Sequence, residues 1–98
     1  LTYIDRVAAR LGSLPAVLGA RGVILTRLGR FDEAIRALEQ AIEIEPSAER
    51  FFYLARAYHK AGRDDLFRVH RDRALRDGLQ PEAIDRWHQD ELKQLLAL

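Results

Sequence analysis

The feature that most restricts this chain is an echo at a spacing of 33 residues. Leu28-Gly29-Arg30-Phe31-Asp32 returns as Ala61-Gly62-Arg63-Asp64-Asp65. The same separation relates Gly22 to Ala55, Leu25 to Tyr58, and Ala41 to Ala74. A period of that length holds one helix, a tight turn, a second helix and a linker. A unit of that kind has an apolar stripe on each helix and cannot bury both by itself, so its copies must stack.

The best-defined part of the period runs from Leu28 to Pro46. Ala34, Ile35, Leu38, Ala41 and Ile42 recur at helical spacing and form one apolar stripe. Gly29 suits the left-handed turn that ends a helix. Asp32 and Glu33 place negative charge at the positive end of the next helix dipole. Pro46 cannot continue a helix. Around this stretch the chain reads as helices separated by short breaks. Residues 1–11 carry Ile4, Val7, Ala8 and Leu11, with a break at Gly12 to Pro15. A second helix is expected over 16–28, a third over 31–44, a fourth over 48–61 with Ser47 as N-cap, and a fifth to about 77 capped by Asp64. Pro81 and Glu82 open a short turn around Ile84, and a last helix spans 87–96. No stretch alternates with period two, so strands are not expected. The fold class is all-α, with about six helices as antiparallel neighbours.

Composition narrows the function classes. The 98 residues are 48% hydrophobic and 32% charged, and Lys+Arg 16 against Asp+Glu 15 leaves a formal charge of +1. A balance so even gives no basic excess for nucleic acid. There is no cysteine, so disulfides, thiolate metal sites and cysteine nucleophiles are excluded. No apolar run is long enough to span a bilayer. The only serines, Ser13 and Ser47, sit at turns where capping accounts for them. His59, His70 and His88 lie on separate helices without metal-ligand spacing, and no glycine-rich phosphate loop is present. No catalytic, cofactor-binding or metal-binding residue is therefore assigned, and no cofactor is expected. The chain starts at Leu1 and lacks methionine, so it reads as a piece of a longer protein whose targeting segment would lie upstream. Nothing in it fixes a compartment, with the cytoplasm slightly favoured.

The repeat resembles the tetratricopeptide repeat family. Leu18, Gly22, Leu25, Ala34, Leu38, Ala41 and Pro46 fall in step with the family pattern, while Arg21 replaces an expected leucine. The second copy supplies Phe51, Leu54, Ala55, Tyr58, Phe67 and Ala74. It departs where Phe67 replaces a small residue, Arg71 replaces a large apolar one, and the closing proline is displaced to Pro81. The resemblance implies helical hairpins stacked as a right-handed superhelix in one domain over 1–98. Residues 1–13 would be the second helix of a truncated repeat, 15–47 and 48–80 two repeats, and 81–98 a capping helix. In that cap Ile84, Trp87, Leu92, Leu95 and Leu96 would cover the apolar edge.

In this family the first helix of each hairpin lines a concave groove that takes the ligand. The resemblance therefore implies a non-enzymatic protein-interaction scaffold. Ala16, Gly19, Ala20, Val23, Thr26 and Arg27 would face the groove from the first repeat. Phe52, Arg56, His59 and Lys60 would face it from the second, sharing one helix face. An exposed aromatic beside these cations suits an acidic peptide, with Arg27 adding to it. On this reading Arg56 could be replaced without loss of fold. Some family members hold a terminal carboxylate through asparagines, and this chain has no asparagine. Two rival readings stand beside the groove. One is self-association through Ile4, Val7 and Leu11 of the truncated first helix. The other is a fragment of a larger enzyme with its catalytic domain upstream.

Overall fold

A computed structural model of the chain describes residues 13–84 and 88–98. The expected helix over 1–11, and with it the self-association surface, lies outside the described residues, as do Asp85, Arg86 and Trp87. Among the described residues there are five α-helices and no strand. They are α1 (Leu14–Arg27), α2 (Phe31–Ile44), α3 (Ala48–Lys60), α4 (Asp64–Arg76) and α5 (Gln89–Leu96), with a short 3-10 turn at Pro81–Ala83. α1 pairs with α2, α3 pairs with α4, and the two hairpins stack through α2 against α3 and α1 against α3.

The echo in the sequence is an echo in the backbone. Gly29 has φ +80 and Gly62 has φ +78, the left-handed conformation that glycine adopts without penalty. Each closes the same pair of hydrogen bonds. Gly29 N–H donates to the Thr26 carbonyl and Arg30 N–H to that of Leu25; Gly62 donates to His59 and Arg63 to Tyr58. This pattern satisfies the last carbonyls of α1 and α3 and sends α2 and α4 back along them. The starts of the first helices are equally local. Ser13 Oγ accepts from Ala16 N–H at 3.4 Å, and Ser47 Oγ accepts from Arg50 N–H at 3.2 Å. Asp64 does not cap α4. It lies in the first turn beside Asp65, and Arg63 holds the cap position without a side-chain bond. The two carboxylates act there through the helix dipole instead.

Small residues set the helix spacing. A Cβ built at Gly22 would stand 2.4 Å from Leu38 Cγ, and Leu38 is fully buried. α1 therefore approaches α2 at a distance only glycine permits. Ala34, Ala41, Ala55 and Ala74 are likewise completely buried. The departures in the second hairpin compensate one another. Phe67 is buried in the core, and the Arg71 guanidinium lies over its ring, 5.2 Å from the centroid. The phenylalanine thus fills space that the arginine only covers. Farther along the same interface His70 stacks on Tyr58 at 5.1 Å and on Phe51 at 6.4 Å. Burial, then the nearby Glu39 carboxylate, push the Tyr58 phenol above its ordinary pKa, against an opposing pull from Arg63.

Ile84, Leu92 and Leu95 are buried in the same cluster as Phe51, Phe52 and Tyr58, with Leu96 packed at its edge. Gln89 ties the start of α5 down by donating to the Pro81 and Ile84 carbonyls at 2.7 and 2.6 Å. Leu28 is 60% exposed, because it occupies the cap position beyond the last turn of α1.

Gly22→Ala should lower stability by about 1–3 kcal/mol through overpacking. Combined with Leu38→Ala, the loss should fall short of the sum of the two single losses. Chemical denaturation of the four chains checks this, and strict additivity would contradict the close approach.

Candidate functional site

α1 is apolar nearly all round, unlike α2, whose polar and apolar faces are sharply divided. Only part of that apolar surface is used against α2. Leu25 and Gly22 are buried there, whereas Ala16, Gly19, Ala20 and Val23 remain half-buried. Those four line a cavity of about 440 Å³ between α1 and α3. Its other walls are Ser47, Glu49, Arg50 and Tyr53, with Leu38 and Glu45 at the base and edge. Arg50 is held in place by donating to the Glu45 carbonyl at 2.8 Å, with the Glu45 carboxylate 3.5 Å away. The cavity thus has a floor of small apolar groups and a rim carrying two carboxylates and one guanidinium.

The residues singled out from the sequence divide into two sets. Arg27 is exposed beyond the groove end of α1, and His59 and Lys60 are partly exposed at the end of α3. His59 Nδ1 lies 3.3 Å from Asp64, and its ring lies 4.9 Å from that of Phe67. Phe52 and Arg56 are not exposed. Phe52 is 1% exposed and belongs to the core cluster, and Arg56 is 5% exposed. The expectation of an open aromatic beside free cations therefore fails for these two, because α5 packs over them. Arg56 cannot be treated as a replaceable surface residue for the same reason. Thr26, expected to face the groove, is also buried, and its hydroxyl donates to the Gly22 carbonyl at 2.8 Å.

What covers Arg56 is Glu91, in the first turn of α5. Its carboxylate pairs with Arg56 Nε through one oxygen and with Lys60 Nζ, at 3.3 Å, through the other. Tyr53 meets His88 edge to face at 5.5 Å, so the docking extends to the residue just before α5. Partial burial by itself would raise the Glu91 carboxyl. The charge and hydrogen bond of Arg56, followed by those of Lys60, outweigh it and hold the carboxyl below its ordinary range. Glu91 was missed in the sequence because nothing local marks it. Its spacing to Leu95 puts both on one face, and that face proves to be the docked one.

Among the described residues no group of three or more histidine or acidic side chains is placed to hold a metal ion, and no helix is long and apolar enough to cross a membrane.

Because its native pKa is depressed, Glu91 adds stability that is complete above the ordinary carboxylate range, near about pH 4.3, and is lost as pH falls through the lower native value. The unaltered chain should therefore melt higher than Glu91→Gln at neutral pH, with the gap closing in acid. Thermal melts of both chains across that range check this. A gap that persists below the native pKa would contradict it.

Residues 15–47, the first complete hairpin, match the tetratricopeptide repeat family model. Neither the curated proteins nor the solved structures returned a significant match. One hairpin carries the family pattern in sequence, and a second, closed by an equivalent glycine turn, stacks on it. Over residues 15–47 the chain is similar to the tetratricopeptide repeat family, and its described helices stack as hairpins in a way consistent with such a repeat.

Proposed function

We propose that this protein is a scaffold module that binds a peptide, or an extended segment of a partner protein, in the groove between α1 and α3. Tetratricopeptide repeats are protein-interaction modules and are generally non-catalytic, which gives the class. The observation that carries the finer reading is the half-buried row Ala16, Gly19, Ala20 and Val23 facing the cavity of about 440 Å³. These residues lie outside the core clusters of the described residues, and a cavity of that size accepts a few side chains. Tyr53 and Arg50 on the opposite wall offer an aromatic surface and a fixed cation to a backbone or side chain laid between them. Arg27, His59 and Lys60 extend the contact surface along the rim. Phe52 and Arg56 support it from beneath.

Peptides selected from a random library on the immobilised chain should lose at least about tenfold in affinity with Val23→Arg. They should bind Val69→Glu unchanged, since Val69 is an exposed residue of α4 that lines no part of the cavity. Circular dichroism should show both variants folded. Equal affinity for Val23→Arg and the unaltered chain would sink the groove assignment.

A further inference from the structure

We propose that α5 occupies part of the partner groove in cis, with the Glu91 carboxylate standing where an acidic side chain of a partner would bind. This rests on the groove reading above and names the chemistry of its far half. The two halves share a helix face. Glu49 and Tyr53 line the open cavity, and Arg56 and Lys60 continue the series at intervals of three and four residues along α3. The groove therefore runs on past the cavity into a pair of cations, and α5 lies on that pair.

Glu91 is an incomplete ligand for them. One carboxylate is divided between two cations, Arg56 through Nε and Lys60 through Nζ. Arg56 Nη1 is left buried and has no hydrogen-bond partner among the described residues. A dry, unpaired guanidinium nitrogen is costly, and a carboxylate meeting the arginine through two parallel bonds would pair it. A partner with its own acidic groups can therefore satisfy this arginine better than Glu91 does.

The helix that carries Glu91 is also suited to exchange. α5 has eight residues, and its cap residue His88 makes no side-chain capping bond to it. A helix that short is not stable alone and depends on its packing. Among the described residues its anchors include Leu92 and Leu95, the Glu91 pairs, the Tyr53–His88 ring contact, and the two bonds from Gln89 to the preceding turn. Loss of the Glu91 pairs on arrival of a competing acid leaves the remaining anchors to hold it.

The probe is a fluorescein-labelled peptide of alternating glutamate and leucine, with a glutamine-leucine peptide as control. Titrated against the full chain, it should bind Glu91→Gln about tenfold more tightly than the unaltered chain, and the gain should vanish in Glu91→Gln/Arg56→Gln. The control peptide should show no such gain. A second readout uses the unaltered chain and does not depend on a substitution. At saturating probe, amide exchange in residues 89–96 should accelerate as α5 leaves the groove. If the probe binds both chains equally and the α5 amides stay protected, α5 is a permanent cap and the proposal is overturned, while the groove reading stands on its Val23→Arg test. If the probe binds neither chain, the acidic subsite is overturned on the same terms.

Discussion

The structure depends on covering α3. Eight of its thirteen residues are buried: Ala48, Phe51, Phe52, Leu54, Ala55, Arg56, Ala57 and Tyr58. These positions go more than halfway round the helix, so no single neighbour can cover them. α4 takes one side, α2 and α1 take the next, and α5 closes the remainder. Each of the other elements can be read as an answer to that demand. The glycine turns fold α2 and α4 back at the required angle, and the fully buried alanines and Gly22 let the helices approach. The C-terminal segment supplies Ile84, Leu92 and Leu95 where another hairpin would stack.

That arrangement splits the concave surface into two chemically different halves. Toward α1 it is open, floored by small apolar groups and rimmed by Glu45, Glu49 and Arg50. Toward the C-terminus it is closed, and its cations are already paired with Glu91. A buried ion pair of this kind contributes less to net stability than to fixing one arrangement, since desolvation offsets much of the attraction. Here the arrangement it fixes is the position of α5 on α3. The same contact that completes the core therefore also closes this half of the concave surface.

The sequence showed what local chemistry determines. The period, the glycine turns, the serine caps and the apolar stripe of α2 all follow from residues within a few positions of one another. It misled where a distant residue changes the meaning of a local one. Phe52 and Arg56 share a face with Lys60, as the spacing says, but Arg56 is covered by Glu91, thirty-five residues beyond it, and Phe52 is buried in the core cluster. Thr26 was read as facing the groove because its position allows it, whereas its hydroxyl turned back to the Gly22 carbonyl. The Phe67 and Arg71 departures looked like a weakened repeat one residue at a time. Together they conserve a filled interface, because the ring of one lies beneath the guanidinium of the other. The half-buried row on α1 was legible as unused apolar surface, and Arg50 was not, because its orientation depends on the Glu45 carbonyl.

The pairing of Glu91 with Arg56 holds α5 to α3. A double-mutant cycle with Arg56→Met and Glu91→Gln, read as unfolding free energies at neutral pH, tests it most directly. Glu91→Gln alone leaves a buried guanidinium uncompensated, whereas the double variant replaces that charge with an apolar group of comparable length. The two single losses should therefore exceed the loss in the double variant by about 1 kcal/mol or more. Losses that simply add would contradict the account, because α5 would then be docked by its leucines alone.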